Sequence, residues 1–239
     1  MQPYFKTELG ALYHGDCMEI MPQLGPVDLV LADPPYDMVA DGGGIGSRRK
    51  YLHDINGHID CGFDFGLIDQ FGDNWFCFCS LKQVVPIIAK AQKNNWMLLT
   101  WNKTNPTPLT NNNYLPDVEY IVHSYSRGRL FGEYRDKSRF IISPIIKNDF
   151  DHPTVKPIFV VSKLIKLGSL PGETVLDPFL GSGTTAVACE QLNRRWIGIE
   201  ISEKYAEIAA KRIERERQQL KLFGPVAERP PKPVQEAMF

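Results

Sequence analysis

The chain has 239 residues, 43% of them apolar and 11% aromatic, which is enough for one α/β domain with a sizeable core but not for a second large domain. It has no run of 18 apolar residues and no basic segment followed by an apolar one at its start, so we expect a cytoplasmic protein without a membrane segment. The net charge of −1 gives no support by itself to nucleic-acid binding, and the five cysteines lack metal-ligand spacing, which predicts reduced thiols and no metal site.

Apolar runs alternate with helical patterns along the chain. Strands are predicted near residues 27–32, 75–80, 96–101, 118–125, 139–146, 174–177 and 196–200. Helices are predicted from the capping box that starts at Ser80 to about Asn94, over 158–167, over 184–193 and after Ser202. This alternation is typical of a doubly wound, mostly parallel sheet, here of seven strands, with helices on both faces.

Three segments lack a regular pattern. Residues 37–73 are rich in glycine, residues 105–116 are polar, and residues 224–239 carry four prolines. We therefore expect a single domain over residues 1–222 and a disordered tail over 223–239. A flexible loop at 37–73 would suit closure over a substrate, while an ordinary irregular connection explains its composition equally well.

The strand predicted at 27–32 ends in Asp33-Pro34-Pro35-Tyr36. Proline has no N–H and a fixed φ, so the two prolines cannot continue a sheet ladder and they stiffen the turn. An acid, unpaired carbonyls and an aromatic ring at one place would form a pocket for a planar ring that carries an amino group. A simple strand-ending turn is the alternative, since Asp and Pro are common in turns.

A second motif, Asp177-Pro178-Phe179-Leu180-Gly181-Ser182-Gly183-Thr184, follows the strand predicted at 174–177. Its glycines let the backbone pass close to a ligand, and the helix that follows begins with free N–H groups. Glu200 ends the next strand, where an acid can accept hydrogen bonds from ribose hydroxyls. Strand, glycines, helix, strand and acid in this order indicate a nucleotide-like cofactor.

Together the two motifs resemble the amino-methyltransferases, which methylate the exocyclic amine of adenine or cytosine in DNA with S-adenosylmethionine. The catalytic motif precedes the cofactor motif, so the resemblance is to the circularly permuted beta group, and it covers about residues 10–222. It implies a Rossmann-like methyltransferase fold in which the strands ending at Ala32 and Leu176 lie side by side. It also implies an enzyme of a bacterial or phage-infected cell.

Two further segments match that family. Gly15-Asp16-Cys17-Met18-Glu19 resembles the segment whose acid contacts the cofactor's adenine, and His152-Pro153-Thr154-Val155-Lys156-Pro157 resembles a segment beside its methionine part. A loop acid and a helix-leading turn are the respective alternatives. Lys156 would supply a positive charge near the cofactor's carboxylate.

The resemblance implies a role for each motif. Tyr36 would stack a flipped-out base while Asp33 and the Pro34 carbonyl accept its amine hydrogens, with Pro35 completing the turn. Asp177 would hold the amino group of the cofactor and Glu200 its ribose. The implied cofactor-binding residues are Asp16, Asp177, Phe179, Gly181, Ser182, Gly183, Thr184, Glu200, His152 and Lys156.

Basic clusters in predicted loops are candidate contacts to double-stranded DNA, although an ordinary solvated surface explains each one equally well. They contain Arg48, Arg49, Lys50, Arg127, Arg129, Arg135, Lys137 and Arg139. In the resembling branch the target-recognition segment would be residues 124–151. Because this segment is short, we expect either short or relaxed sequence specificity or a homodimer. A cognate restriction endonuclease is a further candidate partner.

Asp at position 33 favours the N6 amine of adenine, because cytosine enzymes of the family more often carry Ser there. The N4 amine of cytosine is the alternative, and structured RNA is left open as a substrate. A non-catalytic DNA-binding accessory protein would be expected to lose Asp33, Tyr36, Asp177 or the glycines, and none is lost. A nucleotide-dependent oxidoreductase would share the strand, glycines and acid but would not explain residues 33–36.

Overall fold

The computed structural model describes residues 1–34, 72–108, 114–146 and 155–223. Nine strands in these ranges form one sheet, in the order β1-β2-β9-β8-β3-β4-β6-β5-β7. The strands are β1 Phe5–Lys6, β2 Gly10–His14, β3 Leu29–Ala32, β4 Trp75–Cys79, β5 Asn95–Lys103, β6 Val118–Tyr125, β7 Phe140–Ser143, β8 Thr174–Asp177 and β9 Arg195–Glu200.

Five α-helices and one 3-10 turn accompany the sheet in the same ranges. They are α1 Cys17–Ile20, the 3-10 turn Met21–Gln23, α2 Leu81–Ala91, α3 Ile158–Gly168, α4 Thr184–Gln191 and α5 Glu203–Phe223. The capping box predicted at Ser80 is present at the start of α2. Within the ranges described, no helix is both long and apolar enough to cross a membrane.

The seven predicted strands are confirmed as β3 to β9, but the predicted strand count is wrong. The sheet has nine strands in the described ranges because two N-terminal strands, β1 and β2, lie beside β9. β1 has two residues, and in β2 only Leu12 is buried, so neither carries the apolar pattern that marks an inner strand. The inner strands β3 and β4 are buried at every position, as expected for strands covered on both faces.

Helices cover both faces of the sheet, which confirms the doubly wound arrangement. On one face the core contains Leu29 and Phe76 packed against residues of α3, α4 and α5. On the other face Val30 and Trp75 pack with residues of α1 and α2. Alternate residues of the same strands therefore supply two separate cores.

The strand directions define two edges of the sheet, a word used here for the two lines along which the strands begin or end. β2, β9, β8, β3 and β4 are parallel, β6 is antiparallel to β4 and β5, and β7 is parallel to β5. One edge, called here the carboxyl edge, therefore collects the ends of these parallel strands, of β5 and of β7, together with the start of β6. The opposite edge is the amino edge. β3 pairs with β8, with Val30 opposite Leu176, as the resemblance implied.

A buried polar group at the amino edge ties several elements together. The Asn74 amide donates to the carbonyls of Asp28 at 3.0 Å and Gly168 at 2.6 Å, so its Oδ1 is left as an acceptor. His123 Nε2 lies 3.2 Å from that oxygen and must be the donor. The imidazole stacks on Phe76 with a centroid distance of 3.8 Å, and burial lowers the pKa of His123 to about 3.

We predict that His123 makes the stability of the protein depend on pH. Between pH 6.5 and about 3 the unfolded chain carries a proton on His123 that the folded protein does not, so the free energy of unfolding falls as the pH falls through this window. The effect is at most about 1.4 kcal/mol per pH unit. His123→Gln keeps an amide donor for Asn74 but does not titrate. The free energy of unfolding, measured with denaturant at each pH, should therefore change less steeply with pH in this variant. Equal slopes in the two proteins would contradict the prediction.

Candidate active site

The four acids predicted from the sequence lie in one row at the carboxyl edge. Asp177 and Glu200 are the last residues of β8 and β9, Asp33 directly follows β3, and Asp16 follows β2 by two residues. These strands are adjacent in the order β2-β9-β8-β3. The row therefore runs Asp16, Glu200, Asp177, Asp33, in the crevice where open α/β sheets bind ligands.

Asp177 is a buried carboxylate in the middle of this row. Its side chain is 4% exposed and accepts a hydrogen bond from the Phe179 backbone N–H at 2.9 Å and another from the Thr185 hydroxyl. Burial, together with the nearby charges of Asp33 and Glu200, raises the pKa of Asp177 to about 7. Such a carboxyl group is well suited to bind a cationic group, which would stabilise its ionised form.

Glu200 organises the glycine loop that follows Asp177. One carboxylate oxygen accepts the Gly181 N–H at 2.8 Å and the other accepts the Ser202 N–H at 2.8 Å. Burial raises the pKa of Glu200. A carboxylate has about four acceptor positions, so Glu200 retains capacity for a ligand hydroxyl.

The segment that carries Asp16 is tied to the end of β9. The Gly15 N–H donates to the Glu200 carbonyl at 3.0 Å. Asp16 caps α1, with its Oδ1 accepting the Met18 N–H at 2.8 Å. Asp16 is therefore held beside Glu200, on the side of the row away from Asp33.

Arg212 of α5 binds the glycine loop and was not among the predicted site residues. Its guanidinium donates to the carbonyl and hydroxyl of Ser182, the latter at 2.7 Å, and to the Thr184 hydroxyl at 3.3 Å. Ala209 and Ile213 beside it in α5 are fully buried. Ala209 and Ile213 are four residues apart and mark the buried face of α5, so this spacing could have placed Arg212 at the margin of that face.

Lys156 lies against the catalytic candidate Asp33. Its Nζ is 2.6 Å from Asp33 Oδ2 and 3.3 Å from Glu119 Oε2, and it lies 5.0 Å from the centre of the Phe78 ring. Lys103 Nζ is 2.7 Å from the other oxygen of Glu119. Burial alone would lower the pKa of Lys156, but the two carboxylates raise it above its ordinary value.

Lys103 and Glu119 were not predicted from the sequence. Neither belongs to a recognisable motif, and the two residues meet because β6 runs antiparallel to β5 and begins at the carboxyl edge. Strand order of this kind cannot be read from local patterns, so no sequence signal pointed to them.

The predicted DNA contacts in residues 126–139 begin at the amino edge, opposite the row of acids. β6 ends at Tyr125, which pairs with Asn95 at the start of β5. Arg129 makes a bidentate ion pair with Glu173 at 2.8 and 3.0 Å and donates to the Asp28 carbonyl. Glu173 directly precedes β8, and Asp28 directly precedes β3. The Phe131 N–H donates to the carbonyl of Leu167, near the end of α3.

The chain then reaches the middle of β5 at Arg139, directly before the outermost strand β7. Its carbonyl accepts the Thr100 N–H, and its guanidinium contacts Met97 Sδ at 3.1 Å. Arg127, Arg135 and Lys137 are exposed in the connection between Tyr125 and Arg139. Several predicted site residues, Pro35, Tyr36, Arg48, Arg49, Lys50 and His152, lie outside the described residues.

The cysteines of the described ranges are buried thiols. Cys77 and Cys79 lie in β4, and burial raises the pKa of Cys79 to about 12 and that of Cys77 well above its ordinary value. Burial likewise raises the pKa of Cys17 to about 12. None of these thiols is activated as a nucleophile.

Comparison with known proteins identifies the family of this chain. Residues 27–211, more than half of the chain, match the model of a family described as DNA methylase, whose members are N6 and N4 methyltransferases. The chain belongs to this family. The resemblance predicted from the sequence and the class of enzyme are thereby confirmed, while the family includes both adenine and cytosine amines as targets.

Bacterial relatives align over most of the chain. The Type II methyltransferase M2.DpnII of Streptococcus pneumoniae is 27% identical over 251 residues, covering 90% of this chain and 93% of the relative. The Type II methyltransferase M.HinfI of Haemophilus influenzae is 28% identical over 245 residues, covering 86% of this chain and 68% of the relative.

Solved structures share the fold. The complex of M1.HpyAVI with SAM (S-adenosylmethionine) has a TM-score of 0.60 and 27% identity and covers 85% of this chain and 99% of that chain. The cytosine-N4-specific PvuII DNA methyltransferase has a TM-score of 0.67 over 93% of this chain and 96% of that chain. At 15% identity it supports the fold alone.

Gly183 in the glycine loop should tolerate a side chain less well than Gly172, which serves as a matched control. Both have φ near +84°, with 85° at Gly183 and 83° at Gly172, so Ala brings a similar backbone strain of about 1–2 kcal/mol at either position. A Cβ on Gly183 would lie 3.0 Å from the Ala209 Cβ, whereas nothing lies within 4 Å at Gly172.

We therefore expect Gly183→Ala to lower the free energy of unfolding by about 1–3 kcal/mol more than Gly172→Ala, because only the first overpacks the contact between the loop and α5. Urea unfolding of both variants measures the difference. Equal losses would show that the loop is not packed against α5 in this way.

Proposed function

We propose that this protein transfers a methyl group from S-adenosylmethionine to the exocyclic N6 amine of adenine in double-stranded DNA. The observation that carries the proposal is the row of acids at the carboxyl edge, in which Asp33 lies beside Asp177 and Glu200 follows on the other side of Asp177. One crevice thus offers an acceptor for a substrate amine next to acceptors for a cationic, ribose-bearing cofactor.

The described residues fit S-adenosylmethionine, which supplies an electrophilic methyl group on a sulfonium when bound. Asp177 would hold its amino group, because its carboxylate is buried and its hydrogen-bond donors, the Phe179 N–H and the Thr185 hydroxyl, are uncharged. Glu200 would accept the ribose hydroxyls and Asp16 the adenine amine. The glycine loop, held by Arg212 through Ser182 and Thr184, would line the methionine part.

At the substrate end, Asp33 and the Pro34 carbonyl would accept the two hydrogens of the target amine. The base must first leave the duplex, at a cost of a few kcal/mol, and we assign Tyr36 to stack on it. These acceptors draw the conjugated amine toward a tetrahedral geometry and direct its lone pair at the methyl group. The amine would become cationic as its bond to the methyl group forms and the methyl–sulfur bond breaks, and a carboxylate already in place would stabilise that charge. The departing sulfur becomes a neutral thioether, and the extra amine proton is released afterwards.

The chemistry at Asp33 is tested by substitution. We expect Asp33→Ala to lower the methyl-transfer rate by at least about 10²–10³-fold, because the developing positive charge loses its carboxylate. Cofactor affinity should stay within about twofold, since Asp177 and Glu200 are unchanged.

Asp73→Ala is the control, because Asp73 is an exposed acid two residues before β4, at the amino edge and away from the proposed DNA surface. Transfer of labelled methyl groups to DNA and calorimetric titration with the cofactor measure the two effects. An Asp33→Ala enzyme with normal activity would exclude this mechanism.

The choice of adenine rests on Asp at position 33. We expect DNA methylated by the purified protein to release N6-methyladenine on digestion to nucleosides. Chromatography with mass detection separates this product from N4-methylcytosine. Recovery of N4-methylcytosine alone would replace adenine by cytosine as the target while leaving the catalytic arrangement in place.

The DNA surface should lie along the carboxyl edge, where Asp33 is. Several connections leave or enter the sheet there, and three of them are the chain after Pro34, residues 104–117 between β5 and β6, and the residues that follow β7. The first contains Arg48, Arg49 and Lys50, and the second carries Tyr114, which is 99% exposed. We propose these connections as the target-reading surface in place of the first half of the predicted segment 124–151. A homodimer and a cognate restriction endonuclease stay predictions.

Two triple variants that remove the same amount of positive charge test this placement. We expect Arg48→Ala, Arg49→Ala and Lys50→Ala together to weaken DNA binding and to reduce the slope of log K against log salt by roughly one unit for each phosphate that is no longer neutralised. Arg127→Ala, Arg135→Ala and Lys137→Ala together should leave affinity and slope near the wild type, because that connection starts at the amino edge. Fluorescence anisotropy over a salt series compares them, and the reverse ranking would move the DNA to the other edge.

A further inference from the structure

We infer that Glu119 is a positioning residue for methyl transfer, which with Lys103 fixes the Lys156 ammonium group against the Asp33 carboxylate. The inference rests on the proposed function, because Asp33 is the group that this network positions. Neither Glu119 nor Lys103 belongs to the motifs that identified the active site.

The network is a chain of four alternating charges. The atom pairs along it are Lys103 Nζ to Glu119 Oε1 at 2.7 Å, Glu119 Oε2 to Lys156 Nζ at 3.3 Å, and Lys156 Nζ to Asp33 Oδ2 at 2.6 Å. The four side chains are between 10% and 25% exposed. Glu119 thus bridges the two cations with both of its oxygens, and partial burial makes each pair stronger than a surface ion pair.

The network also joins separate elements across the sheet. Asp33 follows β3 and Glu119 lies in β6, and β4 runs between these strands. Lys156, two residues before α3, spans this gap with its ammonium group 5.0 Å from the centre of the Phe78 ring of β4. Glu119 therefore anchors the far side of the Lys156 ammonium group, so that Asp33 meets a cation with a fixed position.

This arrangement has two consequences for Asp33. The ammonium group lies against Oδ2 and so holds the carboxylate of Asp33 in one position. A cation at this distance also favours the ionised form of the carboxylate. Because the pKa of Lys156 is raised, the ammonium group stays charged through the neutral range, so Asp33 acts as an acceptor for the cationic amine while Lys156 is not a base.

Other titratable groups also face Asp33. Within the described ranges they are the Cys77 thiol of β4, which is neutral because burial raises its pKa, and the carboxyl group of Asp177 in β8. Asp177 is occupied by the cofactor in the proposed complex, so the test is made with the cofactor bound at saturation. Lys156 and, behind it, Glu119 and Lys103 are further charged groups of the described ranges near Asp33.

The test is the pH dependence of single-turnover methylation by protein loaded with S-adenosylmethionine, measured from about pH 3.5 to 9 on a DNA that the wild type methylates, so that the window reaches below the ordinary pKa of an Asp. We expect Lys156→Met to move the acidic limb of the profile up by about one pH unit or more and to slow transfer by about 100-fold, because Asp33 loses its cation. Glu119→Gln should move the acidic limb to lower pH, because the negative charge that offsets Lys156 is removed. It should also slow transfer by about tenfold, because Lys156 is then less firmly positioned. Lys156→Arg keeps the charge and should stay near the wild-type profile.

The opposite shifts separate positioning from a merely structural role, which would reduce the rate of both variants without moving the limb. Cofactor affinity within about twofold of the wild type in Glu119→Gln, together with an unchanged melting temperature, confirms that the fold and the cofactor site are intact. An unmoved limb in both variants overturns the inference even if the wild type is active. A Lys156→Met enzyme that loses cofactor affinity but keeps its limb would also overturn it, in favour of a contact between Lys156 and the cofactor. A wild type that transfers no methyl group to any DNA would refute the proposed function, and the inference with it.

Discussion

The parallel pairing of β3 with β8 is the constraint on which the rest of the structure depends. Val30 lies opposite Leu176, so the strands end at the same edge and the motifs that follow them open into one crevice. A shift of one residue in this register would turn the buried residues of either strand to the other face. Because both faces of these strands are covered by helices, the register is fixed by two cores at once.

Bringing several carboxylates to one edge has an electrostatic cost, which the protein offsets differently at each acid. Lys156 contacts Asp33, and backbone N–H groups of Gly181 and Ser202 contact the two oxygens of Glu200. Asp177 receives an N–H and a hydroxyl, and its pKa is raised to about 7. Asp33 is thus stabilised by the protein itself, whereas Asp177 is the acid that a cationic ligand would stabilise most.

The positions of the strands and the site motifs could be predicted from the sequence because each rests on a local pattern. Apolar runs mark β3, β4 and β8, and the acids that follow them are found from the strand ends. β1 and β2 were missed because they bury too few side chains to show a period. The pairing of Lys103 with Glu119, and the start of residues 126–139 at the amino edge, depend on the reversed direction of β6, which no local pattern reports.

A structure of the protein with a non-reactive S-adenosylmethionine analogue and a DNA duplex containing its target tests the arrangement most directly. We predict that the cofactor's amino group contacts Asp177 and that a flipped adenine places its N6 against Asp33, about 3–3.5 Å from the position of the transferable methyl group. A cofactor bound elsewhere than between Asp177 and Glu200, or a flipped base whose amine points away from Asp33, would contradict it.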